Sequence, residues 1–139
     1  MKLCSLEIVE QHLCNEMLLE EWKEHNKYDK IRQLDVSDVN NVTYKDNEKC
    51  FYIKNEDGKI VGFLSYIDGE DDVYIRRIFI KPEFRKKGYC SDALRQMIDK
   101  CKSENKTLSG DVYGDNPAMN VYEKLGCIKQ YIHIVFNAT

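Results

Sequence analysis

The hydrophobic pattern of the first third of the chain predicts one strand and one amphipathic helix. Residues 3–8 favour the strand, and residues 10–26 follow with the period of a helix. The residues expected on the inward face of this helix are Cys14, Met17, Leu18 and Trp22. The glutamates expected on its outward face are Glu16, Glu20, Glu21 and Glu24. Residues 25–48 keep spaced apolar positions among many Asn and Asp residues, so they predict a short helix or irregular cover rather than a disordered linker.

The middle of the chain predicts an antiparallel meander of three strands. Residues 50–54 and 59–67 are rich in β-branched and aromatic side chains. The Asp-Gly turn between them supplies the positive φ angles that tight hairpins favour. An acidic turn at residues 68–72 leads into a third apolar segment at residues 73–80, which ends before Pro82 because proline cannot donate to a sheet ladder.

A regular amphipathic helix follows the meander. Its apolar positions fit the helical template i, i+3, i+4, i+7, i+8 and are Cys90, Ala93, Leu94, Met97, Ile98 and Cys101. Residues 107–113 predict a strand parallel to residues 73–80, because a helix of this length is the usual crossover between parallel strands. A short capped helix at residues 116–126 and a last strand at residues 128–136 complete the pattern.

Length and composition predict a single soluble domain over residues 1–139. The chain has 42% apolar and 32% charged residues, enough for one core of its own. No apolar segment approaches the roughly 20 residues that a membrane span needs. Glu7 interrupts the N-terminus before the apolar region of a signal peptide could form. We therefore expect a cytoplasmic location and no membrane partner.

Cysteine spacing and net charge exclude two further classes of site. The six cysteines contain no Cys-x-x-Cys pair, and two of them lie on the apolar face of one predicted helix. This distribution is typical of reduced, buried thiols, so we expect no metal site. The 21 basic and 24 acidic residues give no general basic field, so we expect no nucleic-acid partner.

The join between the third meander strand and the helix after it is a basic turn. Arg85, Lys86 and Lys87 place three cations before Gly88, at the point where the helix begins. The first amides of a helix lack intrahelical partners and attract anions, and a glycine lets a phosphate approach the backbone closely. A basic turn can also be merely solvated. A strand on one side and a helix on the other favour a pyrophosphate site.

Two segments resemble the motifs of the GNAT superfamily of N-acetyltransferases. Ile78–Cys90 is similar to its acetyl-CoA signature, Arg/Gln-x-x-Gly-x-Gly/Ala, in which Arg85 and Gly88 match and Cys90 replaces the last small residue. Residues 116–127 are similar to its Asn-x-x-Ala…Tyr-x-x-x-Gly-Phe segment. In this second segment Asp115 stands in the Asn position beside Asn116. By its residues alone the second segment is a capped short helix whose tyrosine packs in the core.

The resemblance implies the GNAT fold, an α/β (α+β) architecture. This fold has a mixed, mostly antiparallel central sheet of six to seven strands with a parallel central pair, flanked by about four helices. A seventh strand could be missing, fused with the sixth or supplied by a second subunit, and the last case would make the protein a homodimer.

The resemblance also implies that acetyl-CoA is the co-substrate and that no metal takes part. The backbone expected along the pantetheine belongs to Ile78, Phe79 and Ile80. The residues expected around the phosphates are Arg85, Lys86, Lys87, Gly88, Tyr89, Cys90, Ser91 and Asn116.

The implied reaction transfers the acetyl group to a primary amine of a small molecule or peptide by direct attack. By resemblance, Tyr122 is the general acid that protonates the departing thiolate. The residues leave the general base open: Asp111 is our first candidate. The others are Tyr113, Asp72, Tyr74 and Glu70. All of these could instead be solvated or packing residues.

Two other functions compete with this reaction. A catalytically degenerate domain could bind acyl-CoA as a sensor or partner protein, and the departures at Cys90 and Asp115 are compatible with it. A toxin that acetylates aminoacyl-tRNA would need a basic surface, which the acidic balance of the chain disfavours.

Overall fold

One mixed β-sheet and three α-helices make up the part of the chain that this computed structural model describes, residues 2–42, 44–112, 118–130 and 136. The five strands are β1 (Cys4–Val9), β2 (Glu48–Asn55), β3 (Ile60–Asp68), β4 (Asp72–Ile80) and β5 (Thr107–Gly110). The α-helices are α1 (Asn15–Tyr28), α2 (Tyr89–Glu104) and α3 (Ala118–Lys124). Short 3-10 helices span Gln11–Cys14, Val36–Asn41 and Pro82–Phe84. None of the described helices is long and apolar enough to cross a membrane.

The strands lie in their sequence order, β1-β2-β3-β4-β5. The pairs from β1 to β4 are antiparallel, and β4 with β5 is parallel. The sequence predicts the antiparallel meander of β2, β3 and β4 and the parallel pair, but not the partner of β1. The turn between β2 and β3 contains Gly58 at a φ of 78°. The side chain of Asn55 accepts hydrogen bonds from the amides of Asp57 and Lys59, each at 3.0 Å. This turn fixes the register of the predicted hairpin.

The two long helices cover opposite faces of the sheet. Ile80 of β4 packs with Ala93 and Met97 of α2, whereas its neighbour Phe79 packs with Leu18 of α1. Successive strand residues point to opposite faces of the sheet. Apolar side chains therefore project from both faces of β4, and one helix packs on each face. Both faces of β4 are therefore covered.

A bulge at Arg76 ends the parallel pairing. The β3–β4 register shifts between Ser65 and Tyr66, so that Arg76 has no direct partner on β3. The β4–β5 ladder stops at the pair of Ile75 with Gly110, immediately before the bulge. A bulge bends and twists its strand, which accounts for the end of β5 at Gly110, before residues 111 and 112 of the predicted strand over 107–113. Residue 113 lies outside the described residues.

The described residues do not match the expected six to seven strands and about four helices. They contain five strands and three α-helices, and residues 128–130 belong to no strand. Residues 131–135, the centre of the predicted last strand, lie outside the described residues. The coarser expectation of a mixed sheet with one parallel pair is confirmed.

Asp92 ties the first turn of α2 to the start of β1. Its buried carboxylate accepts hydrogen bonds from the amides of Leu3 and Cys4 at 3.0 and 3.1 Å, from the Cys4 thiol at 3.2 Å and from Gln96 at 3.0 Å. Burial by itself raises the pKa of Asp92, but the hydrogen bonds outweigh it, so the pKa lies below its ordinary value.

The replacement Asp92→Asn is expected to cost about 2–3 kcal/mol of stability at pH 7. The neutral amide has one acceptor oxygen and no negative charge, so it cannot replace all the hydrogen bonds of the carboxylate. A depressed carboxyl pKa stabilises the fold above the unfolded value of about 3.9 and stops doing so as the pH falls through the folded value. Wild type should therefore lose more stability than the variant between pH 5 and acid pH. Urea unfolding at several pH values checks this, with exposed Asp99→Asn on the same helix as the control. If the free energy of unfolding of Asp92→Asn and of Asp99→Asn depended equally on pH, the prediction would be contradicted.

Candidate active site

The backbone of β4 has one unpaired edge at its C-terminal end. Ile78, Phe79 and Ile80 pair with β3, but β5 has already ended at Gly110, so no described strand lies on their other side. Exposed strand edges carry backbone donors and acceptors that need partners, which a bound ligand can supply. On the paired side the fit is tight, since a Cβ on Gly62 would lie 2.1 Å from the Phe79 carbonyl oxygen.

The loop after β4 has the backbone shape of an anion site. Lys86 and Gly88 have left-handed φ angles of 62° and 90°, an alternation of backbone conformation that is typical of anion-binding nests. Gly88 is the N-cap of α2, and no side chain caps the helix there. The 16-residue helix therefore presents its positive end at this loop. The predicted basic turn is thus placed at a helix N-terminus.

Arg85 is held inside the site. Its Nε donates to the Ile80 carbonyl oxygen at 2.8 Å, its guanidinium forms an ion pair with Glu24, and it lies 5.2 Å from the centre of the Phe79 ring. These contacts fasten the loop to β4 and α1. The sequence indicated Arg85 as a phosphate ligand, and its role toward a phosphate stays a prediction.

Lys86 and Lys87 are the exposed cations of the loop. Neither forms an ion pair with any of the described residues. They directly precede the left-handed Gly88, so their charges add to the positive end of α2. Tyr89 is buried, whereas Cys90 and Ser91 are half-buried in the first turn of the helix.

Tyr122 of α3 lies near groups from both faces of the sheet. Burial raises the pKa of its phenol, and the neighbouring Cys90 thiol of α2 and Glu21 carboxylate of α1 raise it further. The phenol therefore stays protonated at neutral pH. Burial also raises the pKa of the Cys90 thiol to about 11, against a lowering by Arg85. Cys90 thus faces this buried region, which fits the small apolar residue expected there.

The structure places one candidate base, Asp111, just after β5 and beside Tyr74 near the start of β4. The Tyr74 hydroxyl donates to Asp111 at 2.7 Å. Asp72 accepts hydrogen bonds from the hydroxyls of Thr107 and Ser109 at 2.6 and 2.8 Å. These contacts join strands β4 and β5 where they pair. Asp111 is exposed, and its catalytic role stays a prediction. Tyr113 and Asn116 lie outside the described residues, while Glu70 is exposed in its turn.

Two glutamates of α1 belong to the site, although the sequence analysis assigned both to the outward face. Glu24 pairs with Arg85. Glu21 is half-buried, and its Oε2 is shielded from solvent without a hydrogen-bond partner among the described residues. The outward assignment was therefore wrong for Glu21. A signal for this was present, because Glu21 follows buried Met17 by four residues and Leu18 by three.

The chain matches a known protein family over most of its length. The sequence model of the family described as Acetyltransferase (GNAT) family matches residues 10–127. This range contains the β4–α2 loop, Glu21 and Tyr122. No curated protein matches the chain in sequence.

Solved structures share the fold along nearly the whole chain. The inferred acetyltransferase YycN from Bacillus subtilis has a TM-score of 0.76 and 17% identity, over 98% of this chain and 99% of that one. A ribosomal-protein-alanine N-acetyltransferase from Brucella melitensis biovar Abortus 2308 has a TM-score of 0.65 and 12% identity, over 96% and 99%. The aminoglycoside acetyltransferase HMB0005 from an uncultured soil metagenomic sample has a TM-score of 0.66 and 13% identity, over 98% and 99%. At these identities the likeness establishes the fold alone.

Proposed function

We propose that this chain, which belongs to the Acetyltransferase (GNAT) family, is an acetyl-CoA-dependent N-acetyltransferase that acts on a primary amine of a small molecule or peptide. The observation that supports it most is the left-handed loop at the start of α2, with exposed Lys86 and Lys87, beside the unpaired end of β4. The name of the Brucella neighbour, an alanine N-acetyltransferase, supports an amino group as the acceptor.

The residues present fit acetyl-CoA. The concave loop and the uncapped first turn of α2 offer backbone N–H groups to a pyrophosphate, and Gly88 permits the close approach. The unpaired backbone at Ile78, Phe79 and Ile80 offers donors and acceptors to an amide-bearing arm. When bound, acetyl-CoA supplies an activated acetyl thioester.

In this mechanism the chain stabilises the transition state, protonates the thiolate and holds the loop in place. A fixed backbone N–H near Phe79 would stabilise negative charge on the carbonyl oxygen during attack. Tyr122 stays protonated at neutral pH, so it can donate its phenol proton to the departing thiolate. Arg85 holds the loop in place through Glu24 and the Ile80 carbonyl oxygen.

The double change Lys86→Glu and Lys87→Glu is expected to weaken acetyl-CoA binding by about 10- to 100-fold, because each lost charge-assisted contact to a phosphate removes about 1 kcal/mol or more. Isothermal titration calorimetry of the purified chain with acetyl-CoA measures this. Arg85 is left unchanged, because a glutamate there would face Glu24 and disturb the loop itself.

The control is the double change Lys45→Glu and Lys59→Glu, which alters the net charge equally at exposed positions far from the loop in sequence. Equal loss of affinity in both double variants would refute the loop as the phosphate site. Failure of the wild type to bind acetyl-CoA would refute the proposed function. Binding without turnover of any primary amine would favour a sensor module instead.

A further inference from the structure

Glu21 has one buried carboxylate oxygen that lacks a hydrogen-bond partner among the described residues. Its Oε2 is shielded from solvent and accepts no hydrogen bond from the described residues. Burying an unpaired carboxylate costs free energy, so such a group is usually retained for a task other than stability. The neighbouring Glu20 on the same helix is exposed, as a glutamate on a helix surface normally is.

Glu21 lies where the unpaired end of β4, the loop and α3 come together. One helical turn further on, Glu24 binds Arg85, which in turn contacts Phe79 and Ile80. Tyr122 of α3 is within electrostatic range of Glu21. The C-terminal half of α1 therefore lies over the segment of β4 that is free of β5. This places a carboxylate beside the region where the phenol and the free backbone meet.

We propose that Glu21 receives the acceptor amine: its carboxylate binds the substrate ammonium group and takes its proton before attack. The inference rests on the proposed function, because it needs an amine acceptor. It replaces Asp111 as the first candidate for the base, since Asp111 is exposed and bonded to Tyr74. A primary ammonium group, with a pKa of about 10.4, is the ligand that an unpaired buried carboxylate attracts.

Two protons leave the acceptor ammonium group during the transfer. The substrate ammonium gives one proton to Glu21, which frees the nitrogen lone pair to form the new C–N bond. The C–S bond of the acetyl donor breaks, and the departing thiolate takes the phenol proton of Tyr122. The second N–H proton of the acceptor restores the phenol, and Glu21 passes its proton to solvent. One proton is thus released for each acetyl group transferred.

The surroundings of Glu21 set its protonation near neutral pH. Burial raises the pKa of its carboxyl to about 7, Arg77 of β4 lowers it and Glu24 raises it. Among the described residues, the neutral phenol of Tyr122 also interacts with it, and Arg85 neutralises Glu24. A carboxyl with a raised pKa destabilises the fold as the pH rises from about 4.3, its ordinary value, to about 7. Above pH 7 the carboxylate is ionised and can accept a proton.

A stability measurement tests the buried charge without any substrate. Glu21→Gln removes the charge and keeps the shape, so its melting temperature should exceed that of wild type at pH 8, and the difference should shrink toward pH 5. Glu20→Gln, with the same change of charge at an exposed position, should show no such trend. A purely structural role of the Glu21 carboxylate predicts the opposite, a lower melting temperature of Glu21→Gln at pH 8.

An activity profile tests the proton transfer itself. The probes are n-butylamine, tyramine, spermidine and a peptide with an N-terminal alanine, each with acetyl-CoA. For the amine that turns over, kcat/KM of wild type should fall below pH 7, and Glu21→Gln should lose this inflection together with about 10²- to 10³-fold in rate at pH 8. Glu20→Gln should keep both.

The outcomes separate the two proposals. An unchanged pH profile in Glu21→Gln, with turnover intact, would overturn the role of Glu21 and leave the proposed function standing. No turnover of any of these amines by a protein that binds acetyl-CoA would refute the proposed function, and the role of Glu21 with it. Loss of the inflection together with the raised melting temperature would support both.

Discussion

Tyr122→Phe is expected to lower kcat by about 10²- to 10³-fold and to leave acetyl-CoA affinity nearly unchanged. The variant removes only the hydroxyl, so the ring keeps its packing while the proton donor for the thiolate is lost. A discontinuous assay of the coenzyme A thiol released in the presence of an amine that turns over measures kcat. Isothermal titration calorimetry measures the affinity for acetyl-CoA.

The raised pKa of Tyr122 keeps the phenol proton in place at neutral pH but also changes how readily it is given up. A phenol whose pKa is raised by burial is a weaker acid, which by itself disfavours donation. The same surroundings act on a thiol, because burial raises the pKa of the adjacent Cys90 to about 11. A thiolate released in this region should therefore be a stronger base than in water. The mismatch between donor and acceptor stays small, and transfer from phenol to thiolate remains feasible.

Tyr28→Phe serves as the control for the loss of a tyrosine hydroxyl, since Tyr28 is the last residue of α1 and no hydrogen bond of its side chain is seen among the described residues. Its kcat should stay within about two-fold of wild type. A Tyr122→Phe protein with wild-type turnover would show that the thiolate takes its proton from water or from another group. If Tyr122→Phe has a much lower melting temperature and loses activity only because less of it is folded, the role of the phenol is packing.

Local signals in the sequence were sufficient for much of the fold. The hairpin follows from an Asp-Gly turn between two β-rich segments, and the parallel pair follows from the length of α2. The position of the basic loop at a helix start follows from cations placed before a glycine ahead of a helical pattern. Each of these features depends on residues that are close in sequence, which is why the pattern alone predicts them.

Contacts between distant segments could not be predicted in this way. Arg85 was expected to face a phosphate, but it pairs with Glu24, which is 61 residues away in the chain. Glu21 looked like a surface residue because glutamates on helices usually are. Its shielding depends on how α1, β4 and α3 pack together. The early end of β5 depends on the bulge at Arg76, which no local pattern marks.

The bulge itself is held by a buried ion-pair group. The side chain of Glu48 is fully shielded from solvent and bonds Arg76 at 2.6 Å and Arg77 at 3.4 Å, while Arg77 also lies 5.3 Å from the centre of the Tyr44 ring. The amide of Lys45 donates to Glu48 at 3.1 Å. One carboxylate therefore satisfies two adjacent arginines where β4 leaves β5. The opening that the proposed function needs begins at this point.

Glu48→Ala is expected to destabilise the fold by about 3–5 kcal/mol, because it leaves the largely buried Arg77 without its carboxylate partner. Arg76 and Arg77 would then repel each other across the bulge, and the end of β4 should shift. We therefore also expect weaker acetyl-CoA binding in the fraction that remains folded. Urea unfolding followed by circular dichroism gives the free energy, and calorimetry below the unfolding transition gives the affinity.

Glu7→Ala is the matched control, since Glu7 pairs with Lys54 between neighbouring strands but is half exposed. An exposed pair of this kind contributes about 0–1 kcal/mol, so the two glutamates should differ several-fold in effect. Similar losses in both variants would show that the charge of Glu48 is not what holds the bulge. A stable Glu48→Ala protein with weakened acetyl-CoA binding would separate the two roles, because the bulge would then shape the cleft without stabilising the sheet.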